Sequence, residues 1–101
     1  MTPTKRVTTH PGEILQEEFL TPMGISQSAL ARHLGMHHFV ICNLCNGKRN
    51  ITPRIAIMLA QALGTSPEFW MGLQADYDLT ALAKTDEGKR VKAIRPIVRV
   101  R

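Results

Sequence analysis

Between Glu18 and Glu68 the chain carries no acidic residue, yet the same stretch holds Arg32, Lys48, Arg49 and Arg54 together with His33, His37 and His38. Such a surface suits a polyanion, because a carboxylate there would repel phosphate and oppose the counterion release that drives binding. Nucleic acid is the expected partner, and Lys48, Arg49 and Arg54 are the cations expected to meet its phosphates. Within this stretch His38, Phe39, Cys42 and Asn43 fall on one side of a helical repeat. Their chemistry is that of base-edge readers. Asn43 can pair with adenine in bidentate fashion, His38 can donate to guanine N7 or to a phosphate, and Phe39 can lie against a thymine methyl.

Cys42-Asn43-Leu44-Cys45 also carries a metal or redox reading, with His37, His38, Cys42 and Cys45 as four conceivable zinc ligands or the two thiols as a sensor pair. Helical geometry opposes it: Cys45 falls beside Ile41 on the inward face, adjacent His37 and His38 are expected to point apart, and a helix C-terminus does not favour a thiolate. A Ser-His-Asp set, a phosphate-binding glycine loop and paired carboxylates in a believable geometry are all missing from the sequence, so enzymatic activity is not expected, nor is a cofactor.

These residues need elements to position them. Ser26 can cap a helix on which Leu30 and Leu34 are spaced i, i+4, and Gly35 ends that helix by adopting the left-handed conformation. A second short helix, His37 to Cys45, turns Ile41, Leu44 and Cys45 inward and His38, Phe39, Cys42 and Asn43 outward. Asn46-Gly47 closes it, and Lys48-Arg49 follow on an exposed loop. Two short helices meeting at a glycine turn read as a helix-turn-helix, with the second helix entering the major groove.

Three further helices are expected. One runs from Pro11 to Thr21 with Ile14, Leu15 and Phe19 inward and is ended by Pro22 and Gly24. Another starts at Thr52-Pro53, with Ile55, Met58, Leu59, Ala62 and Leu63 on one face, and stops at Gly64. The last begins at Ser66-Pro67-Glu68 and buries Phe69, Trp70, Leu73 and Tyr77. The expected fold is therefore an all-α, five-helix bundle. The expected organisation is a flexible N-terminus over 1–9, one helix-turn-helix domain over 10–84 and a basic tail over 85–101. Gly88 to Arg101 carries six basic residues and no acid, and ends in the alternation Val98-Arg99-Val100-Arg101. It reads as a disordered arm or as a short edge strand.

At 101 residues and a net charge of +5, the chain suits one compact binding module rather than an enzyme with a roomy cleft. No apolar run spans a bilayer, no secretory leader is evident, and two cysteines fit a reducing compartment, so a cytoplasmic protein is expected.

With these residues in place, the chain resembles the HigA/VapI family of antitoxins, a branch of the repressor-like Xre helix-turn-helix class. The resemblance covers roughly His10 to Leu79. It rests on His10-Pro11-Gly12-Glu13-Ile14-Leu15, on Ser26-Gln27 through Leu34-Gly35, on Asn46-Gly47-Lys48-Arg49, and on Leu63-Gly64-Thr65-Ser66-Pro67-Glu68-Phe69-Trp70 with Leu73-Gln74. The order and spacing of these blocks carry the specificity. The resemblance implies a homodimeric autorepressor that binds a palindromic operator and neutralises a small RNA-cleaving toxin of the HigB type. It also implies that Gln27 at the first reader helix, with Asn46, Lys48 and Arg49 after the second, holds phosphates and sets the docking register. Phe39 and Val40 depart from the small polar and arginine residues this family favours there, which leaves open whether they face DNA or protein. A solitary Xre-type regulator without a toxin is the close alternative, and a zinc or thiol sensor built on Cys42 and Cys45 is the alternative from another class.

Overall fold

The computed structural model describes residues 9–97, and these form six helices with short connections. Helix α1 covers residues 11–23. It begins as regular α-helix over Pro11–Ile14, widens to a π-helical turn over Leu15–Leu20 and returns to α-helix over Thr21–Met23. The widened turn has a packing reason. Residues five apart lie about 140° from each other on an ordinary α-helix, whereas here Leu15 and Leu20 are both fully buried on the face that meets the core. Pro22 does not stop α1 as expected. It sits in the last turn, just after the widened segment, and Gly24 ends the helix in the left-handed conformation with φ 69°.

Helices α2 (Gln27–Leu34) and α3 (His38–Cys45) form the helix-turn-helix, α4 (Pro53–Leu63) and α5 (Pro67–Ala83) pack on each other, and α6 (Asp86–Lys92) follows. Thr52 and Ser66 cap α4 and α5 by accepting hydrogen bonds from the third residue beyond, with proline next in each case. The core gathers Ile14, Leu15 and Leu20 of α1, Leu30 and Ala31 of α2, Ile41 and Leu44 of α3, Ile51, Ile55, Ala56, Leu59 and Ala60 around α4, and Trp70 and Leu73 of α5. Trp70 is fully buried and donates from Nε1 to Thr65 Oγ1 at 2.7 Å, so its one polar atom is satisfied. Phe19 packs on its ring at a centroid distance of 5.3 Å. Tyr77, expected inside, lies half-buried at the rim with its ring edge-on to His10 at 5.0 Å.

The basic tail departs from both forms expected for it. Its first part is helical: Thr85 Oγ1 accepts from Gly88 N at 3.0 Å, Asp86 and Glu87 occupy the first turn, and Lys89, Arg90 and Lys92 the last. That charge order complements the helix dipole at both ends, which periodicity of apolar residues alone does not register. Gly88 is buried where α6 folds back on the end of α5. The segment 1–8 of the expected flexible N-terminus and the alternation Val98–Arg101 lie outside the described residues.

Candidate nucleic-acid interface

Helix α2 is fixed at both ends by its own sequence. Ser26 Oγ accepts from Ala29 N at 3.0 Å, and Gly35 adopts φ 70°, which lets Met36 N reach back to Ala31 O at 2.9 Å and brings the Met36 side chain against the core. At its first position Gln27 is half-buried and donates from Nε2 to Gln16 Oε1 at 2.7 Å, while Gln16 Nε2 donates to Thr21 Oγ1 at 3.0 Å. The chain Thr21–Gln16–Gln27 therefore holds the start of α2 to α1. Gln16 was not among the expected site residues. Its only signal is a polar side chain at the start of a turn whose widening appears only in three dimensions.

Helix α3 begins one residue later than expected, because His37 serves as its cap: Nδ1 accepts from Phe39 N at 3.2 Å. Ile41 and Leu44 are fully buried and Cys45 is packed partly against the core, as the spacing requires. On the opposite side His38, Phe39 and Asn43 are exposed and Cys42 is half-buried, so the four expected base-reading residues share one outward face. Phe39 is 60% exposed, whereas Val40 packs partly against the core, which separates the two. Contrary to expectation, His37 and His38 do not point apart. Their rings stack at 5.5 Å, and Phe39 stacks on both at 4.8 Å. The reason is that His37 lies outside the helix with extended backbone, so the helical 100° step does not separate it from His38.

Beyond α3, Lys48 N donates to Asn43 O at 2.8 Å and Asn46, Lys48 and Arg49 are exposed on the loop. Arg54 is exposed in the first turn of α4. The expected phosphate-binding cations are thus carried by the loop and the helix that directly follow the exposed face of α3.

This loop sits on a buried support. His10 caps α1 by accepting from Gly12 N on Nδ1 at 2.9 Å, and burial pushes its pKa below the ordinary imidazole value, against the raising influence of Asn50, Asp78 and Glu13. Gly12 lies where α1 crosses the end of α3: a Cβ there would sit 2.5 Å from the Leu44 carbonyl carbon and closer still to its oxygen. No side chain fits that contact.

Cys42 and Cys45 are both free thiols. Burial, with the nearby Cys42 thiol, pushes Cys45 up to about 11, and Cys42 Sγ accepts from Asn46 Nδ2 at 3.6 Å. Among the described residues no group of three His, Cys, Asp or Glu side chains is placed to hold a metal ion. No helix among them is long and apolar enough to cross a membrane.

Fold and site together define a helix-turn-helix protein of the Xre type, and residues 16–70 match the family model described as helix-turn-helix. The chain is 45% identical over 96 residues to antitoxin HigA-1 of Vibrio cholerae, covering 93% of this chain and 90% of that protein. Among solved structures, it superposes with a TM-score of 0.82 and 35% identity on the Pseudomonas aeruginosa antitoxin HigA with higBA promoter, covering 90% of this chain and 99% of that one. It superposes with a TM-score of 0.83 and 35% identity on PA4674 of Pseudomonas aeruginosa in complex with its operator DNA, covering 90% and 96%. The chain belongs to the HigA antitoxin family of helix-turn-helix proteins, a family of DNA-binding regulators and not of enzymes.

Proposed function

We propose that the chain is the DNA-binding antitoxin of a type II toxin–antitoxin pair. It represses its own operon through a palindromic operator and neutralises a small RNA-cleaving toxin of the HigB type. The observation that carries the DNA half is the outer side of α3, bearing the exposed His38, Phe39 and Asn43 with the half-buried Cys42 and followed by Lys48 and Arg49 of the next loop, within a stretch of chain that has no acidic residue between Glu18 and Glu68. In this reading α3 enters the major groove, and His38, Phe39, Cys42 and Asn43 meet base edges. Gln27, Asn46, Lys48, Arg49 and Arg54 hold phosphates.

The functional unit is residues 10–84, with 85–101 as a basic extension. Two copies read half-sites about 34 Å apart. The exposed Leu79 and Leu82 on α5 and Val91 and Ile94 at and beyond α6 support a second copy as partner, since several large apolar side chains left exposed over the last two helices favour association.

A titration of the purified protein against the duplex upstream of its own gene tests the repressor half. Lys48, Arg49 and Arg54 from two subunits neutralise six phosphates, which predicts that log K falls against log salt with a slope of about −5. A complex with neither salt sensitivity nor sequence preference refutes it. Co-expression with the neighbouring reading frame, followed by pull-down and rescue of growth, tests the toxin half. Failure to bind or rescue, with operator binding intact, leaves a solitary regulator.

A further inference from the structure

The loop that carries Lys48 and Arg49 is anchored at one end to α3, through Lys48 N and Asn43 O, and at the other to α5 through a single buried side chain. Gln74 is 4% exposed. Its Oε1 accepts from Ile51 N at 2.7 Å, and its Nε2 donates to Asp78 Oδ1 at 2.9 Å and to Asn50 Oδ1 at 3.3 Å. A backbone N–H can only donate, so the amide oxygen must face Ile51 N, which leaves Nε2 to donate to the Asp78 and Asn50 oxygens. Position 74 requires one acceptor and one donor on the same side-chain end. Glutamate lacks the donor, and an apolar residue leaves the N–H of the buried Ile51 without a partner.

We propose that Gln74 is a positioning residue for DNA binding. It holds the 46–52 loop at the height from which Lys48 and Arg49 reach the phosphates, and it sets affinity without touching DNA. This rests on the DNA-binding reading above and adds to it the device that presents the cations. With the amide removed, Ile51 N turns to water for a partner, the loop lifts from α5, and the two cations lose their fixed approach to the backbone.

The test uses the full chain and its own upstream duplex, with helix content checked by circular dichroism. Gln74→Met is expected to weaken binding about tenfold and to flatten the salt slope by about 2 per dimer as phosphate contacts are lost. Because a buried substitution can also unfold the chain, the exposed partner supplies an independent comparison. Asp78→Asn and Asp78→Ala each remove one negative charge, but only the asparagine keeps an oxygen that accepts from Gln74 Nε2. Charge alone predicts equal gains in affinity for both. The latch predicts that Asp78→Ala binds about threefold more weakly than Asp78→Asn, and that this gap closes in a Lys48→Ala/Arg49→Ala background. Equal binding by the two Asp78 variants, or a gap that persists without the loop cations, overturns the proposal. Absence of any specific complex with the unmodified chain overturns the DNA-binding reading itself.

Discussion

At its C-terminal end α3 presses its Leu44 carbonyl against the backbone of Gly12, while the loop beyond is bonded to α5 through Gln74. At its N-terminal end the rings of His37, His38 and Phe39 stack on one another at the surface, and Phe39 is 60% exposed. The first end is fixed by a close backbone contact and a buried hydrogen bond, whereas the second is anchored from beneath by Val40 and Ile41 and leaves the rings of His38 and Phe39 exposed. The difference fits the two tasks proposed for these ends. Phosphates are the same on every duplex, so the residues that meet them gain from a rigid frame. Bases differ, so the residues proposed to read them lie where substitution disturbs little of the core.

Breaking the rigid end gives the largest effect. Gly12→Ala forces α1 away from α3, because the added methyl meets backbone rather than a movable side chain. A cost of about 3 kcal/mol is expected, at the upper end for overpacking, and a fall in Tm of more than ~10 °C. Thermal unfolding of the variant measures it, and a Tm within a few degrees of the parent removes the contrast between the two ends.

Acid tests the same end more gently. His10 accepts from Gly12 N on Nδ1, so the folded state needs that nitrogen unprotonated, and its folded pKa is lowered from 6.5. Well above pH 6.5 the imidazole is neutral in both states and the contribution is fully present. As pH falls below that value the unfolded chain takes up the proton first, and stability drops until the folded pKa is reached. Tm should therefore decline on acidification from about pH 6.5, and more steeply than in His10→Asn, which keeps an acceptor for the cap but cannot titrate. Parallel declines would assign the acid sensitivity to other groups.

The smallest effect on stability is expected at the exposed end. Phe39→Ala should leave stability within about 0.5 kcal/mol of the parent, yet change the discrimination among operator variants by about 1 kcal/mol at the base pair it meets. Binding to a panel of single-base operator variants measures this. An unchanged ranking would move Phe39 from the base-reading set to a protein contact.

Much of this arrangement is legible in the chain. Ser26, Thr52 and Ser66 announce helix starts, Gly35 announces the turn of the reader, and Ile41 and Leu44 separate the buried from the exposed face of α3, because capping and periodicity are local properties. The stacking of His37 on His38 was not legible, since helical spacing applies only once the helix has begun. The sixth helix was hidden for a related reason: it is specified by a cap and by charge order over Asp86–Lys92, not by an apolar stripe. The roles of Gln16 and Gln74 were not legible, because the partners that fix them across segments, Gln27 and Ile51, lie 11 and 23 residues away.

By itself the sequence determined the Ser26 cap and the Gly35 turn of the reader, the outward set His38, Phe39, Cys42 and Asn43, and the acid-free run of chain around it, all of which are read along the chain without reference to packing. Only the tertiary structure decided how that surface is held. The close approach of Gly12 to Leu44, the bond from Gln16 to Gln27 and the latch from Gln74 to Ile51 each join segments distant in the chain. Their partners become fixed only when the helices pack, because a hydrogen bond or a backbone contact between distant segments has no periodicity to announce it.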